Sequence, residues 1–178
     1  GLVRLSILSC LLLLVTLVSG AAGVVVEPIV ECPRAQRPPV IDGKLSDACW
    51  RGKPAIGELL LPGDKGRAKE QTRVFLAYGV EGLYVGFECD EPDMSRLKVD
   101  EPSKLWRNDS VEVMIDADGD RRGYSQFIMT ASGARMQIAN GVAGESPDYK
   151  WQAEWRGAVQ RSDAGWVAEV FIPASTLG

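Results

Sequence analysis

The sequence predicts an all-β fold, an antiparallel β-sandwich of the jelly-roll or immunoglobulin-like kind, and three observations carry that expectation. A series of short runs alternates apolar and polar residues with the period of a half-buried strand. Turns rich in Gly and Asp join them at regular spacing, as hairpins require. No long amphipathic helix interrupts the series, so the apolar faces can be buried only by packing sheet on sheet.

Taken in order, the chain opens with a leader. Arg4 precedes an apolar run from Leu5 to Val18 and then the small residues Ser19, Gly20, Ala21 and Ala22, which match the basic, hydrophobic and cleavage regions of a signal peptide over residues 1–22. An uncleaved anchor is the other reading, because Val24 to Val26 extend the apolar character toward the roughly 20 residues of a bilayer span. With cleavage, no membrane span is expected in what remains. Residues 23–38 carry Pro28, Pro33 and Pro38 with little periodicity and read as an extended linker. The rest, residues 39–178, is one domain's worth of chain on the usual range of about 100 to 200 residues.

Within it, Val40 and Ile41 read as a short strand ended by Asp42-Gly43. Ser46 to Trp50 reads as a capped helical turn that delivers Trp50 inward. Gly57 to Leu61 suits an edge strand, and Asp64 to Glu70 a polar loop. Thr72 to Val80 and Leu83 to Asp90 flank Glu81-Gly82 as a hairpin. Leu105 to Asp116 then gathers a tryptophan and three carboxylates, and from Ser110 onward it alternates strictly. Val111, Val113 and Ile115 face one way, and Ser110, Glu112, Met114 and Asp116 the other. A turn through Asp118 and Asp120 leads to strands at Tyr124–Ala131 and Arg135–Ala139, with Gly141 to Tyr149 as a loop. Trp151 to Gln160 and Trp166 to Ile172 close the series around the Asp163-Ala164-Gly165 turn. The chain stops directly after a strand, which points to a sandwich cut short at its C-terminal end or to a piece of a longer protein.

Composition narrows the chemistry. Without Arg4 and the rest of the leader, 19 basic residues stand against 24 acidic ones, a formal charge of −5. That balance argues against a nucleic-acid partner, which needs a basic face. The sequence holds no histidine, so Ser-His-Asp and Cys-His sites cannot be built and the commonest zinc ligand is missing. No phosphate-binding glycine motif occurs. A two-carboxylate site drawn from Asp109, Glu112, Asp116 and Glu169 stays open, because it depends on a separation that spacing does not give. Cys32, Cys49 and Cys89 permit one disulfide in an oxidising compartment, while Cys49 and Cys89 also read as small buried side chains, the reading preferred here. No zinc spacing or CxxC motif is present.

Five blocks read together carry a resemblance. They are Pro39 to Trp50, Leu83 to Phe87, Trp106 to Asp116, Tyr124 to Phe127 and Gly165 to Pro173, and in this order they resemble the family 9 carbohydrate-binding modules and their relatives. The resemblance implies a β-sandwich secreted by bacteria, extracellular or in the cell envelope, often one module among further domains, non-catalytic, with structural calcium in characterised members. It implies a terminal sugar, free or at a polysaccharide end, held between two tryptophans. Trp106 matches the first of them and Glu112 the adjoining acid, with Arg107 and Gln126 beside them. The second tryptophan falls where this chain has Ala174, and a basic residue falls where it has Ile128.

Two readings follow: a saccharide-binding module using Trp106, Arg107, Glu112 and Gln126, or a structural or interaction sandwich that has lost the ligand site. For the other aromatics, Trp50, Trp151, Trp155 and Trp166 read as core on alternation grounds, and Tyr149, in a loop, as the better exposed candidate. Asp116, Asp118 and Asp120 offer oxygen ligands suited to calcium, although they lack the remaining positions of an EF-hand and equally describe a solvated turn.

Overall fold

The computed structural model describes residues 30–61, 66–99, 101–141 and 145–177. The expected signal peptide, residues 23–29 of the proline-rich linker and residues 64–65 of the expected polar loop lie outside the described residues. Two antiparallel sheets face each other. The first has four strands in the order β1 (Thr72–Tyr78), β2 (Gly82–Asp90), β7 (Gly165–Pro173), β6 (Arg156–Ser162). The second has three consecutive strands, β3 (Ser110–Ile115), β4 (Tyr124–Thr130) and β5 (Arg135–Asn140). A short helix, α1 (Ala174–Leu177), follows β7.

Alternation explains the core. Val74, Leu76, Val85, Phe87, Ala168, Val170 and Ile172 project from one sheet, and Val111, Val113, Ile115, Phe127 and Met129 from the other, into one cluster. Phe127 meets Trp151 and Trp155 edge-on, with centroids 5.8 and 5.6 Å away. Trp155 and Trp166 are buried as expected, and Trp151 is half-buried against the same core.

The hairpin of β1 and β2 forms, but its register, Thr72 opposite Cys89 and Tyr78 opposite Leu83, is shifted by two residues from that of a two-residue Glu81-Gly82 turn, because Gly79 N–H donates to the Gly82 carbonyl and the connection runs from Gly79 to Glu81. Other expectations change for identifiable reasons. Val40 and Ile41 form no strand, because the nearby backbone donors go to carboxylates: Val40 N–H to Asp47, and those of Asp42, Gly43 and Lys44 to Glu169. Gly57 to Leu61 contributes only a bridge, Leu60 to Arg67, and Leu59 N–H is taken by the Gln71 side chain. Trp151 to Trp155 stays outside the ladder, and the strand starts at Arg156. The Trp151 and Trp155 carbonyls accept instead from the side chains of Gln137 and Arg135 as the chain crosses from one sheet to the other.

Cys32, Cys49 and Cys89, the cysteines among the described residues, are free. Burial pushes the Cys89 thiol up to about 12 and, with Asp47 adding to the effect, the Cys49 thiol up to about 11. Neutral, packed thiols fit the small-side-chain reading.

The outer face of the four-stranded sheet is covered by the chain's own N-terminal segment. The turn at Ala48–Trp50 is 3-10, and it sets Trp50 against Tyr84, Ala77 and Phe171, with Ile41, Leu45 and Phe75 around them. Tyr84 and Phe171 stack at 4.8 Å, and the Arg156 guanidinium lies over Phe171 at 4.7 Å. Two glycines let this cover lie flat. A Cβ at Gly86 would stand 2.6 Å from Leu45 Cδ2, and one at Gly43, whose φ is +83°, would stand 2.8 Å from the Val159 backbone.

Candidate functional site

The outer face of the three-stranded sheet is covered only in part among the described residues, by the turn that carries Leu105 over Ile128 and Ile138. Alternation on β3 sends Ser110, Glu112 and Met114 outward, and register places Thr130, Ile128 and Gln126 directly across from them on β4. On β5, Met136, Ile138 and Asn140 stand opposite Ile128, Gln126 and Tyr124.

Trp106 reaches this face from a 3-10 turn, Leu105–Arg107, rather than from the strand itself. Leu105 is the anchor: it is buried with Ile128 and Ile138, and Met136 packs against the same cluster. Asn108 locks the turn. Its amide donates to the carbonyls of Glu101 and Leu105, and its oxygen accepts from Glu101 N–H. Asp109 then fixes the entry to β3, accepting from Lys98 N–H at 2.6 Å while its own carbonyl accepts from Ala131. With Leu105 turned down, its neighbour Trp106 is turned up and remains 38% exposed.

The indole has a partner that lies far away in sequence. Tyr149, 56% exposed, sits with its ring centroid 6.1 Å from that of Trp106 at an interplanar angle of 31°. Its position is set by the neighbouring Asp148, whose backbone exchanges two hydrogen bonds with Ala139 on β5.

Polar groups lie in a line across the same three strands. Gln126 Nε2 donates to Glu112 Oε2 at 2.7 Å, and Asn140 Nδ2 donates to Gln126 Oε1 at 3.3 Å. Partial burial pushes the Glu112 carboxyl above the usual carboxylate range, and the Gln126 hydrogen bond pulls it back only in part. Glu112 is therefore a half-buried acceptor pre-oriented by a neutral donor and not by a cation.

The expected site residues thus divide. Glu112 and Gln126 meet through a hydrogen bond on the outer face of the sheet, and Trp106 and Arg107 are exposed on the turn whose Leu105 packs against that face. Ile128, the position matched to a basic residue, is fully buried under Leu105. Ala174 belongs to the end of the other sheet, where its N–H donates to the Glu81 carbonyl. Asn140 and Tyr124 also stand on the open face although nothing singled them out beforehand. Their pairing follows from a three-residue connection in which Thr130 faces Ala134; counting outward from a two-residue Ser132-Gly133 turn would put Asn140 opposite Ser125 instead.

The open two-carboxylate reading finds no geometric support in the pair Glu112 and Glu169. They project from the outer faces of opposite sheets, with the whole core between them. Glu169 is fully buried, its Oε2 accepting from Asp42, Gly43 and Lys44 N–H at 2.9, 2.7 and 3.1 Å and its Oε1 from Trp50 Nε1 at 2.8 Å. Burial pushes its carboxyl up and the four donors oppose that shift.

At the end of β3, the carboxylate oxygens of Asp116, Asp118 and Asp120 lie within 4.8 Å of one another. Asp116 also organises the turn, accepting from Gly119 and Arg121 N–H, and the Arg121 N–H above all holds its carboxyl below the usual range. Arg121 adopts φ +62° there. The donor set is all oxygen and strongly anionic, which fits a hard divalent cation such as Ca2+.

A family model described as carbohydrate family 9 binding domain-like matches residues 41–178. The chain belongs to that family. Its fold is similar to that of a family 9 carbohydrate-binding module from Caldicellulosiruptor kristjanssonii solved in complex with cellotriose. The TM-score is 0.61 at 18% identity, over 81% of this chain and 67% of that one. The same module in complex with glucose gives a TM-score of 0.60 at 18% identity, over 80% and 68% of the two chains. The sequence has no match among curated proteins. Among the described residues no helix is long and apolar enough to cross a membrane.

Proposed function

We propose that this family 9 domain is a non-catalytic module that binds saccharide on the outer face of β3, β4 and β5, through Trp106, Glu112, Gln126 and Arg107. The carrying observation is an exposed Trp106 on the turn that packs Leu105 against the sheet face bearing the Glu112–Gln126–Asn140 line. A sugar ring packs its C–H face on an indole while carboxylate and amide groups satisfy its hydroxyls. The saccharides in the two similar structures, cellotriose and glucose, make glucans the first class to try. The leader over residues 1–22 supports a secreted or cell-envelope location, within a longer protein that carries further domains.

Titration calorimetry with mono- and oligosaccharides on the wild type and on Trp106→Ala tests the reading. Heat with the wild type and its loss in the variant is the expected result, and absence of heat with every sugar would overturn it. The competing reading, a sandwich that keeps the fold without a ligand, draws on Ala174 at the second tryptophan's place. It requires a packed Trp106, against which the 38% exposure counts.

The same proposal gives the Asp116, Asp118 and Asp120 turn a structural Ca2+. Calcium then raises the melting temperature in a concentration-dependent way, as any ligand of the folded state does. Asp118→Ala removes the effect.

A further inference from the structure

We propose that Trp106 and Tyr149 form one continuous aromatic platform, prolonged by Tyr124 along the same sheet face, on which the interior of a glycan chain lies. The domain would not then clamp a terminal sugar between two rings. This rests on the reading that the open face binds saccharide.

The ring geometry decides between platform and clamp. A sugar held between two aromatic rings needs a van der Waals contact of about 3.5–4.0 Å on each of its faces, so the rings must stand about 7–8 Å apart. Trp106 and Tyr149 are 6.1 Å apart and inclined by 31°, inside the range of about 4.5–7 Å at which two rings touch each other directly. No sugar fits between them. Their exposed surfaces, in direct contact, together make a larger apolar area than either ring alone.

Tyr149 is not carried on a loose lid. Asp148 N–H donates to the Ala139 carbonyl at 2.9 Å and Ala139 N–H returns a bond at 3.2 Å, while the Asp148 side chain accepts from Lys150 N–H at 2.8 Å. The tyrosine is held against β5 by its neighbours on both sides. The position that would supply an opposite wall, Ala174, is tied into the other sheet at Glu81 and carries no ring.

The floor continues past what one sugar covers. Tyr124 shares the outward face of β4 with Gln126 and Ile128, stands opposite Asn140 and is 39% exposed. From Ile128, beneath Leu105, to Tyr124 is four residues of strand, about 14 Å at a rise of about 3.4 Å per residue. The acceptors and donors of Glu112, Gln126 and Asn140 lie along that stretch. Aromatic surface beside a polar line suits consecutive sugar units, each stacking a face or offering hydroxyls, and it makes no demand on the chain terminus.

The test is titration calorimetry with the cello-, xylo- and manno-oligosaccharide series from monosaccharide to hexasaccharide, each also with its reducing end converted to the alditol. In the binding series the affinity is expected to rise by about tenfold or more with length, as successive aromatic contacts are engaged, and to be unchanged by the alditol. Tyr149→Ala and Tyr124→Ala each lower hexasaccharide affinity by about threefold to tenfold, and Tyr149→Phe restores it. Loss of binding on reducing the chain end overturns the platform, whatever the length dependence, and leaves the saccharide-binding reading standing. Full affinity in both alanine variants overturns the platform too. No heat with any saccharide in any series overturns both.

Discussion

The two outer faces of this sandwich each carry a glutamate that alternation points away from the core, and their surroundings differ in every other respect. Glu169 lies under a lid made by the N-terminal segment, fully buried, with four donors on its carboxylate. Glu112 lies on a face covered among the described residues only by the Leu105 turn, half-buried, with one amide donor, and that turn carries an exposed indole. The difference teaches where binding capacity resides. A carboxylate whose oxygens are filled by its own chain holds the fold together, whereas one held in place by a single neutral donor keeps acceptor capacity for a ligand.

That contrast can be broken from either side, and the covered face should give the largest effect. Glu169→Ala leaves the Asp42, Gly43, Lys44 and Trp50 donors without their acceptor, at about 1–3 kcal/mol for each group that stays buried. Loss of about 3 kcal/mol or more, near 10 °C in melting temperature, is expected in chemical and thermal unfolding. A change below about 0.5 kcal/mol would show that the lid is not held this way.

Gly43→Ala attacks the same lid from its backbone, adding a Cβ to a left-handed residue and against the Val159 peptide. It should cost about 2 kcal/mol in the same unfolding assay, from the conformational penalty and the overlap together.

On the open face the balance reverses. Glu112→Gln keeps the shape and should leave stability within about 0.5 kcal/mol, while saccharide affinity falls by about tenfold because a charge-assisted acceptor becomes a neutral one. Calorimetry and thermal unfolding on the same sample separate the two.

The smallest effect is the pH dependence. Burial raises the folded pKa of Glu112 above its unfolded value, so its contribution to stability is fully present below the unfolded pKa and is lost as pH rises through the folded one. Saccharide binding runs the other way, because the carboxylate is the better acceptor. Affinity should fall as pH drops, with a midpoint above the ordinary carboxylate value of about 4.3. A midpoint at or below that value would mean that Glu112 is not the group read out.

How much of this was legible beforehand follows from the range of the interactions. The β1–β2 hairpin, the alternation of β3 and the outward placement of Glu112 are local, set by period and turn chemistry, and they were readable. The lid was not, because Glu169 stands in a polar slot of an alternating strand and only the pairing of distant segments buries it. A signal existed in Phe75, Ala77, Tyr84 and Phe171, apolar residues on the face of β1, β2 and β7 that alternation assigns to solvent. For the candidate site, Trp106, Glu112 and Gln126 came from local pattern and family resemblance. The Trp106–Tyr149 contact joins the 3-10 turn before β3 to the loop after β5, and no periodicity reports it. Trp151 and Trp155 were correctly placed in the core but wrongly on a strand, since side-chain bonds from Gln137 and Arg135 take the place of a ladder there.

The most direct test of the contrast between the faces uses the indole N–H resonances of the five tryptophans. Titrating an oligosaccharide that binds into 15N-labelled protein should shift the Trp106 indole signal and leave that of Trp50, bonded to Glu169, unmoved. A shift at Trp50 with Trp106 unmoved would contradict the account, placing the ligand on the face that the chain already covers.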